Sequence, residues 1–227
     1  AEIAGVPGTA APIVLNFTDV IGSKTGALFP TGGRRETVGG VEVTCIEVAM
    51  PMVIARAADF GLSGTETKAE IDADSALFAR LEAVRREAGA RMGLGDVADK
   101  VVPKFGLLAA PRQDGHVTSR YFVPDKCHPA HAVTGAVCVG SCILSPGTVA
   151  EGVARPASGR RVPIRIEHPS GFIDVQFEGE FGPGETFVLE KAGVVRTARK
   201  LMSGEIYVPR SVWAGRAAAE AAQADAA

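Results

Sequence analysis

The sequence predicts an α+β fold in which a curled sheet wraps around one buried helix. Three observations predict it. Short strand-like runs recur along the chain without alternating regularly with helices, which argues against a doubly wound parallel sheet. One amphipathic helical stripe follows the first of these runs. A second helix, residues 133–144 (VTGAVCVGSCIL), has no charge on any face and must be buried on all sides. Its glycines and β-branched residues also suit a strand, but its length and its stop at Ser145-Pro146-Gly147 favour the helix.

Each element has a local reason. Residues 4–12 are turn and linker chemistry, with Gly5, Pro7, Gly8 and Pro12, and residues 13–17 (IVLNF) read as a strand. Two turn clusters, residues 22–26 (GSKTG) and 30–33 (PTGG), flank Ala27-Leu28-Phe29, the pattern of a loop presented at a surface or cleft. Gly39-Gly40 is a break and a candidate domain boundary. Residues 41–47 alternate Val41, Val43, Cys45 against Glu42, Thr44, Ile46, and residues 52–56 form a second strand set off by Pro51. Thr67 with Glu70 is a capping box that opens one long helix. Its stripe is Ile71, Leu77, Phe78, Leu81, Val84, Ala88 and Met92, with one wider step after Ile71, and Gly93 stops it. Strands resume at 103–109 and 117–123. Residues 162–168 and 172–177 make a hairpin around Pro169-Ser170-Gly171, and 186–190 and 205–208 are further strands. From Ala214 the chain is nearly all Ala with Arg, Glu, Gln and Asp, a frayed helix or a disordered tail.

The chain has 227 residues, 46% hydrophobic and 22% charged, which is globular usage for one large or two small domains. Lys plus Arg is 24 against 26 Asp plus Glu, a net charge of −2 that lacks the basic footprint of a nucleic-acid binder. No apolar run reaches the length of about 18 residues of a membrane span, and no signal-peptide pattern opens the chain. Four cysteines are few for a disulfide scaffold, so reduced thiols in a cytoplasmic protein are the expectation.

The densest polar cluster is Asp125-Lys126-Cys127-His128-Pro129-Ala130-His131, just before the uncharged helix, with Thr134, Gly135 and Ala136 in its first turn. The first N–H groups of a helix lack internal acceptors and carry the positive end of its dipole, so this start is a place for a carboxylate or phosphate. Gly135 would let a ligand approach the backbone, and His128 and His131 would add proton donors. The plainer alternative is that Thr134 caps the helix and the histidines are ordinary loop residues. A zinc reading competes, because Cys127, His128, His131, Cys138 and Cys142 are zinc-compatible, but no pair has closely matching ligand spacing, and no metal is expected. His168 and Ser170 are either a hairpin corner or part of the same cleft. Ser23, Lys24, Thr25 and Arg34 either reach an anionic ligand or form a solvated loop. No nucleophile elbow and no P-loop is present.

Ordered segments along the chain resemble the PrpF-type isomerases: residues 6–12 (VPGTAAP), 25–32 (TGALFPTG), 50–53 (MPMV), 92–97 (MGLGDV), 120–124 (RYFVP), 134–136 (TGA), 167–171 (EHPSG) and 203–209 (SGEIYVP). The resemblance implies the diaminopimelate-epimerase fold, with two pseudo-symmetric domains, each a curled mixed sheet around a central helix, and the helix N-termini facing across the substrate cleft. It makes this chain the second half of such a protein. Residues 1–40 would be the end of an N-terminal domain and linker and 41–195 the C-terminal domain. Residues 196–213 would be a strand returning to the first domain and 214–227 a tail.

The implied activity is tautomerisation or a 1,3-allylic double-bond shift in an unsaturated tricarboxylate, either 4-oxalomesaconate or 2-methylaconitate, without a cofactor. A non-catalytic tricarboxylate-binding module is the alternative. Ala132 stands where the epimerases carry a catalytic cysteine, which argues against two-thiol racemisation. The lysine and cysteine that the family uses belong to the N-terminal domain and have no match here, so no catalytic residue is assigned. The expected substrate contacts are His128, His131 and the N–H groups of Thr134, Gly135 and Ala136, then Ser23, Lys24, Thr25, His168 and Ser170. Met50 replaces an asparagine that touches substrate in related enzymes. The expected partners are a small tricarboxylate and the N-terminal domain, with no nucleic acid or membrane, and a homodimer is an assembly that the resemblance allows.

Overall fold

The uncharged stretch is helix α3 (Val133–Ile143), and strands from both halves of the sheet pack around it. In this computed structural model, which describes residues 1–18, 20–182, 187–209 and 211–213, the strands are β1 (Ile13–Thr18), β2 (Glu36–Val38), β3 (Val41–Glu47), β4 (Pro51–Arg56), β5 (Lys104–Ala109), β6 (Val117–Val123), β7 (Lys126–Cys127), β8 (Arg161–His168), β9 (Gly171–Phe181) and β10 (Phe187–Arg196). They form one open sheet in the order β1-β10-β9-β8-β6-β5-β4-β3-β2, with β7 beside β6. The pairs β4/β5 and β6/β8 are parallel and the others antiparallel, so the sheet is mixed. The α+β class and the wrapped helix agree with the sequence reading.

The sheet has two different sides. On the inner side Ile46, Met52, Ile54, Tyr121, Ile164, Ile166, Val175 and Phe177 close around Val137, Cys138 and Cys142 of α3. On the outer side Val43, Cys45, Val53, Ala55, Phe105 and Phe122 pack under helix α2 (Ser75–Arg91) through Leu77, Leu81, Val84 and Ala88. Thus β3 and β4 are largely buried on both faces, which explains the almost continuous apolar sequence of β4. The outer face of β8–β10 instead alternates and carries exposed charge ladders, such as Arg161–Glu178–Lys191 and Arg165–Asp174.

Two expectations change, for the long helix and for residues 205–208. The single long helix is two, α1 (Lys68–Asp72) and α2, because Asp74 accepts the Leu77 N–H and starts a new helix where the stripe took its wide step. The Thr67–Glu70 capping box is present at α1. Gly39-Gly40 is a hairpin turn between β2 and β3, with φ of 56° and 77°, a conformation that favours glycine. Residues 205–208 form no strand among the described residues; a strand needs a neighbour to take up its N–H and C=O groups. Residues 1–197 are one compact unit and 198–227 a second, whose described part has no helix or strand. The tail from Ala214 lies outside the described residues. Among the described residues no helix is long and apolar enough to cross a membrane.

Small residues on α3 let aromatic rings reach its backbone. A Cβ at Gly140 would meet the Phe177 ring at 2.2 Å. Gly140→Ala should therefore lose about 1–3 kcal/mol through overpacking, despite the better helix propensity of alanine. Urea unfolding checks this; an unchanged or raised midpoint would contradict it.

Candidate functional site

The two ends of α3 are treated differently. At the C-terminal end the Thr148 hydroxyl donates to the Cys142 carbonyl (2.7 Å) and the Ser145 hydroxyl to that of Ser141 (2.8 Å). Just beyond, Arg34 donates to the Pro146 carbonyl (2.7 Å), Arg35 to that of Thr148 (2.5 Å) and Arg56 to that of Val149 (3.1 Å). Three arginines thus hold the loop just beyond this end, where Arg35 is also paired with Glu42 and Glu151 and Arg56 with Glu42. At the other end, the Ala132 cap offers no side-chain hydrogen bond and the first turn contains no acid. The Ala136 N–H donates to the Ala132 carbonyl (2.9 Å), so it is the N–H groups of Val133, Thr134 and Gly135 that have no acceptor among the described residues. Thr134 is half-buried.

Tyr121 organises this start. Its ring lies 2.4 Å from where a Gly135 Cβ would be, so Gly135 makes room for the ring rather than for a ligand at its Cα. The Tyr121 hydroxyl donates to Met50 Sδ (3.6 Å), and the ring is tilted against His131 (5.0 Å) and edge-on to His128 (5.9 Å). Met50 follows Ala49, whose φ of 64° is strained for a residue with a Cβ, a condition that clusters at functional sites.

The histidines differ. His131 is 6% exposed. Its Nδ1 faces the Ala132 carbonyl (3.0 Å), which can only accept, so Nδ1 carries the proton and Nε2 accepts from the Ser119 hydroxyl (3.1 Å). Burial pulls its pKa down to about 4, so the ring is neutral at neutral pH. Both nitrogens are spent inside the chain, and His131 pins the start of α3. His128 is half-buried; its Nδ1 accepts from the Ala130 N–H (3.0 Å), which leaves Nε2 as the free nitrogen. His168 Nδ1 accepts from Ser170 N–H (3.2 Å), and the Ser170 hydroxyl donates to the Pro129 carbonyl, tying the β8–β9 turn to the His128 loop. Burial lowers the His168 pKa, and His128 nearby adds to that.

The loop containing Ser23, Lys24 and Thr25 is held by a residue that the sequence reading passed over. Glu47, fully buried at the end of β3, accepts from the Ser23 hydroxyl (3.1 Å), the Lys24 N–H (2.7 Å), the Thr25 N–H (2.7 Å) and the Thr25 hydroxyl. The two hydroxyls point inward, which leaves the Lys24 side chain as the polar group of this loop without such a bond. The signal was weak: Glu47 closes a strand that already carries Glu42 and Thr44, and only its burial shows that it needs several donors. Met50 and Val48, beside Glu47, accept from Cys138 Sγ through their carbonyls, so this loop, the β3–β4 turn and α3 lie side by side. The cysteines are all buried free thiols. Burial pushes Cys127 and Cys142 up to about 11 and Cys138 to about 12, and raises Cys45 further. Among the described residues no three His, Cys, Asp or Glu side chains are grouped to hold a metal ion.

A central helix wrapped by a curled mixed sheet defines the class: an α+β protein of open-sheet architecture. The family follows from comparison. The model of the PrpF protein family matches residues 1–209, and the chain belongs to that family. It is 47% identical to a 4-oxalomesaconate tautomerase of Pseudomonas putida over 214 residues, covering 94% of this chain and 58% of that one. It is 43% identical to a (4E)-oxalomesaconate Delta-isomerase of Novosphingobium, covering 92% and 57%. The crystal structure of a methylitaconate-delta-isomerase matches with a TM-score of 0.81 at 30% identity, covering 96% of this chain and 60% of that one. The chain therefore spans somewhat over half the length of the curated relatives it matches.

His131 gives a pH prediction. Its folded pKa of about 4 lies below the ordinary value of 6.5. The stability it contributes is complete above pH 6.5 and is lost as pH falls through about 4. A shift of this size amounts to roughly 3 kcal/mol. Between pH 6.5 and 4 the urea midpoint of the wild type should fall more steeply than that of His131→Gln. Parallel curves would remove His131 as the buried neutral pin.

Proposed function

We propose that this chain forms one wall of the active site of an isomerase that moves a proton, and with it a double bond, in a small unsaturated tricarboxylate. The observation that carries the reading is the asymmetry of α3, with arginines just beyond its C-terminal end and three N–H groups without acceptors at its start. Family membership and relatives named as oxalomesaconate tautomerase and isomerase give the substrate class. Identity to those relatives, 47% and 43%, exceeds the 30% to a 2-methyl-aconitate isomerase of Shewanella oneidensis, which favours 4-oxalomesaconate over 2-methylaconitate.

A base removes a proton from the carbon that lies between a carbonyl and the double bond. The electron pair moves onto the carbonyl oxygen, and the proton returns at that oxygen or at the far carbon. The reaction is redox-neutral and in balance without a cofactor. The Val133, Thr134 and Gly135 N–H groups take a carboxylate or the developing enolate oxygen, where fixed donors are most effective. His128 Nε2 and Lys24 take further substrate oxygens, with His168 at the edge. His131, Ser23, Thr25, Ser170 and Ala136 act by position. Burial keeps the thiols of this chain protonated at neutral pH, so they do not serve as the base, and the family resemblance places the base in the N-terminal domain. The unpaired thiols fit a reducing cytoplasm.

Added to 4-oxalomesaconate, the complete protein should change the enol absorbance, while the 227-residue chain alone gives no turnover. Turnover of 2-methylaconitate without 4-oxalomesaconate would contradict the substrate, and turnover by the chain alone would contradict the placement of the base. His128→Ala in the complete protein should lower kcat/KM at least tenfold, about 1.4 kcal/mol; unchanged kinetics would remove His128 from the site.

A further inference from the structure

A polar cavity lies on the other side of the sheet. Along β6, Ser119 and Tyr121 face α3, whereas Thr118 and Arg120 point to the outer side. There a cavity of about 490 Å³ opens between residues 64–69, the 112–114 loop and the β8–β9 turn, with Arg120, Pro129, His168 and Ser170 among its lining residues. Arg120 is 5% exposed. Its guanidinium donates to the carbonyls of Glu66 (3.0 Å) and Ser119 (3.2 Å), and no carboxylate lies within ion-pair distance of it among the described residues.

The acids around the cavity are already occupied. Glu167 accepts from the N–H groups of Arg112 (2.8 Å), Gln113 (2.8 Å) and Gly115 (3.0 Å) and from the Thr118 hydroxyl (2.9 Å). Burial opposes its ionisation, but these donors outweigh burial and hold its pKa below the usual carboxylate range. Glu66 accepts from the Ser63 N–H (2.7 Å), the Ser63 hydroxyl (2.7 Å) and the Gly64 N–H (2.9 Å), and attracts Arg120 only from beyond ion-pair distance. Lys68 is paired with Asp72, and Asp114 with Arg165. Arg112, exposed at the rim, repels Arg120. A buried guanidinium without a counter-ion is costly, and a second cation nearby raises that cost. An anion between the two would relieve both.

We propose that this cavity is an anion-binding site that holds a small carboxylate or phosphate between Arg120 and Arg112, on the outer side of the sheet and bordered by the His168 turn. It does not depend on the isomerase reading. A ligand that binds only the folded chain raises its thermal stability, so the site is tested by calorimetric titration and thermal unfolding of the 227-residue chain with inorganic phosphate and with citrate, chloride holding ionic strength constant. Phosphate or citrate should bind and raise Tm, and the tighter of the two identifies the source. Arg120→Met should weaken that binding about tenfold or more, and Arg112→Ala several-fold. Arg112 is exposed, so its variant carries the test even where Arg120→Met fails to fold. Absence of binding by the wild type, or unchanged affinity in Arg112→Ala, would overturn the proposal.

Discussion

The inner side of the sheet is arranged around the burial of an uncharged helix. A helix without a polar face must be covered on every side, and only a sheet that curls can do so. The curl requires strands on both flanks, β3–β5 and β8–β10, to touch α3, and small residues on the helix where aromatic rings come close. Covering the sides leaves the ends. The carbonyl end is closed by Thr148, Ser145 and three arginines, and the N–H end is left open. The chemical polarity of the site thus follows from the packing of the helix.

The sheet also separates two environments. Residues of β6 alternate between the α3 side, where Ser119 holds His131, and the outer side, where Thr118 holds Glu167. One strand therefore supports both polar regions through neighbouring residues. Carboxylates are used as scaffolding on both sides: Glu47 gathers the 23–25 loop and Glu167 the 112–115 loop, each by accepting backbone N–H groups. Such acids fix loops that have no regular structure of their own.

Much of this was legible in the sequence, because periodicity reports burial. The bounds of β3 and β6 and the buried α3 follow from apolar runs and turn residues, and the start of α3 stood out as a polar cluster before an uncharged stretch. What escaped depends on contacts distant in sequence. The break before α2 rests on one aspartate side chain, and β2 and β7 are too short to show a period. Tyr121 looked like a strand residue, yet it fills the space that Gly135 leaves. Ser23 and Thr25 looked free for a ligand, and only the fold brings Glu47 to them. The arginine clamp joins residues 34, 35 and 56 to carbonyls near residue 148, which no local pattern reveals.

The central claim is that the open end of α3 receives the anionic substrate. The most direct measurement is a crystal structure of the complete protein with a bound tricarboxylate. The account predicts a ligand oxygen within hydrogen-bond distance of the N–H groups of Thr134 and Gly135, with His128 Nε2 at another. A tricarboxylate bound elsewhere, with these groups left without an acceptor, would contradict it.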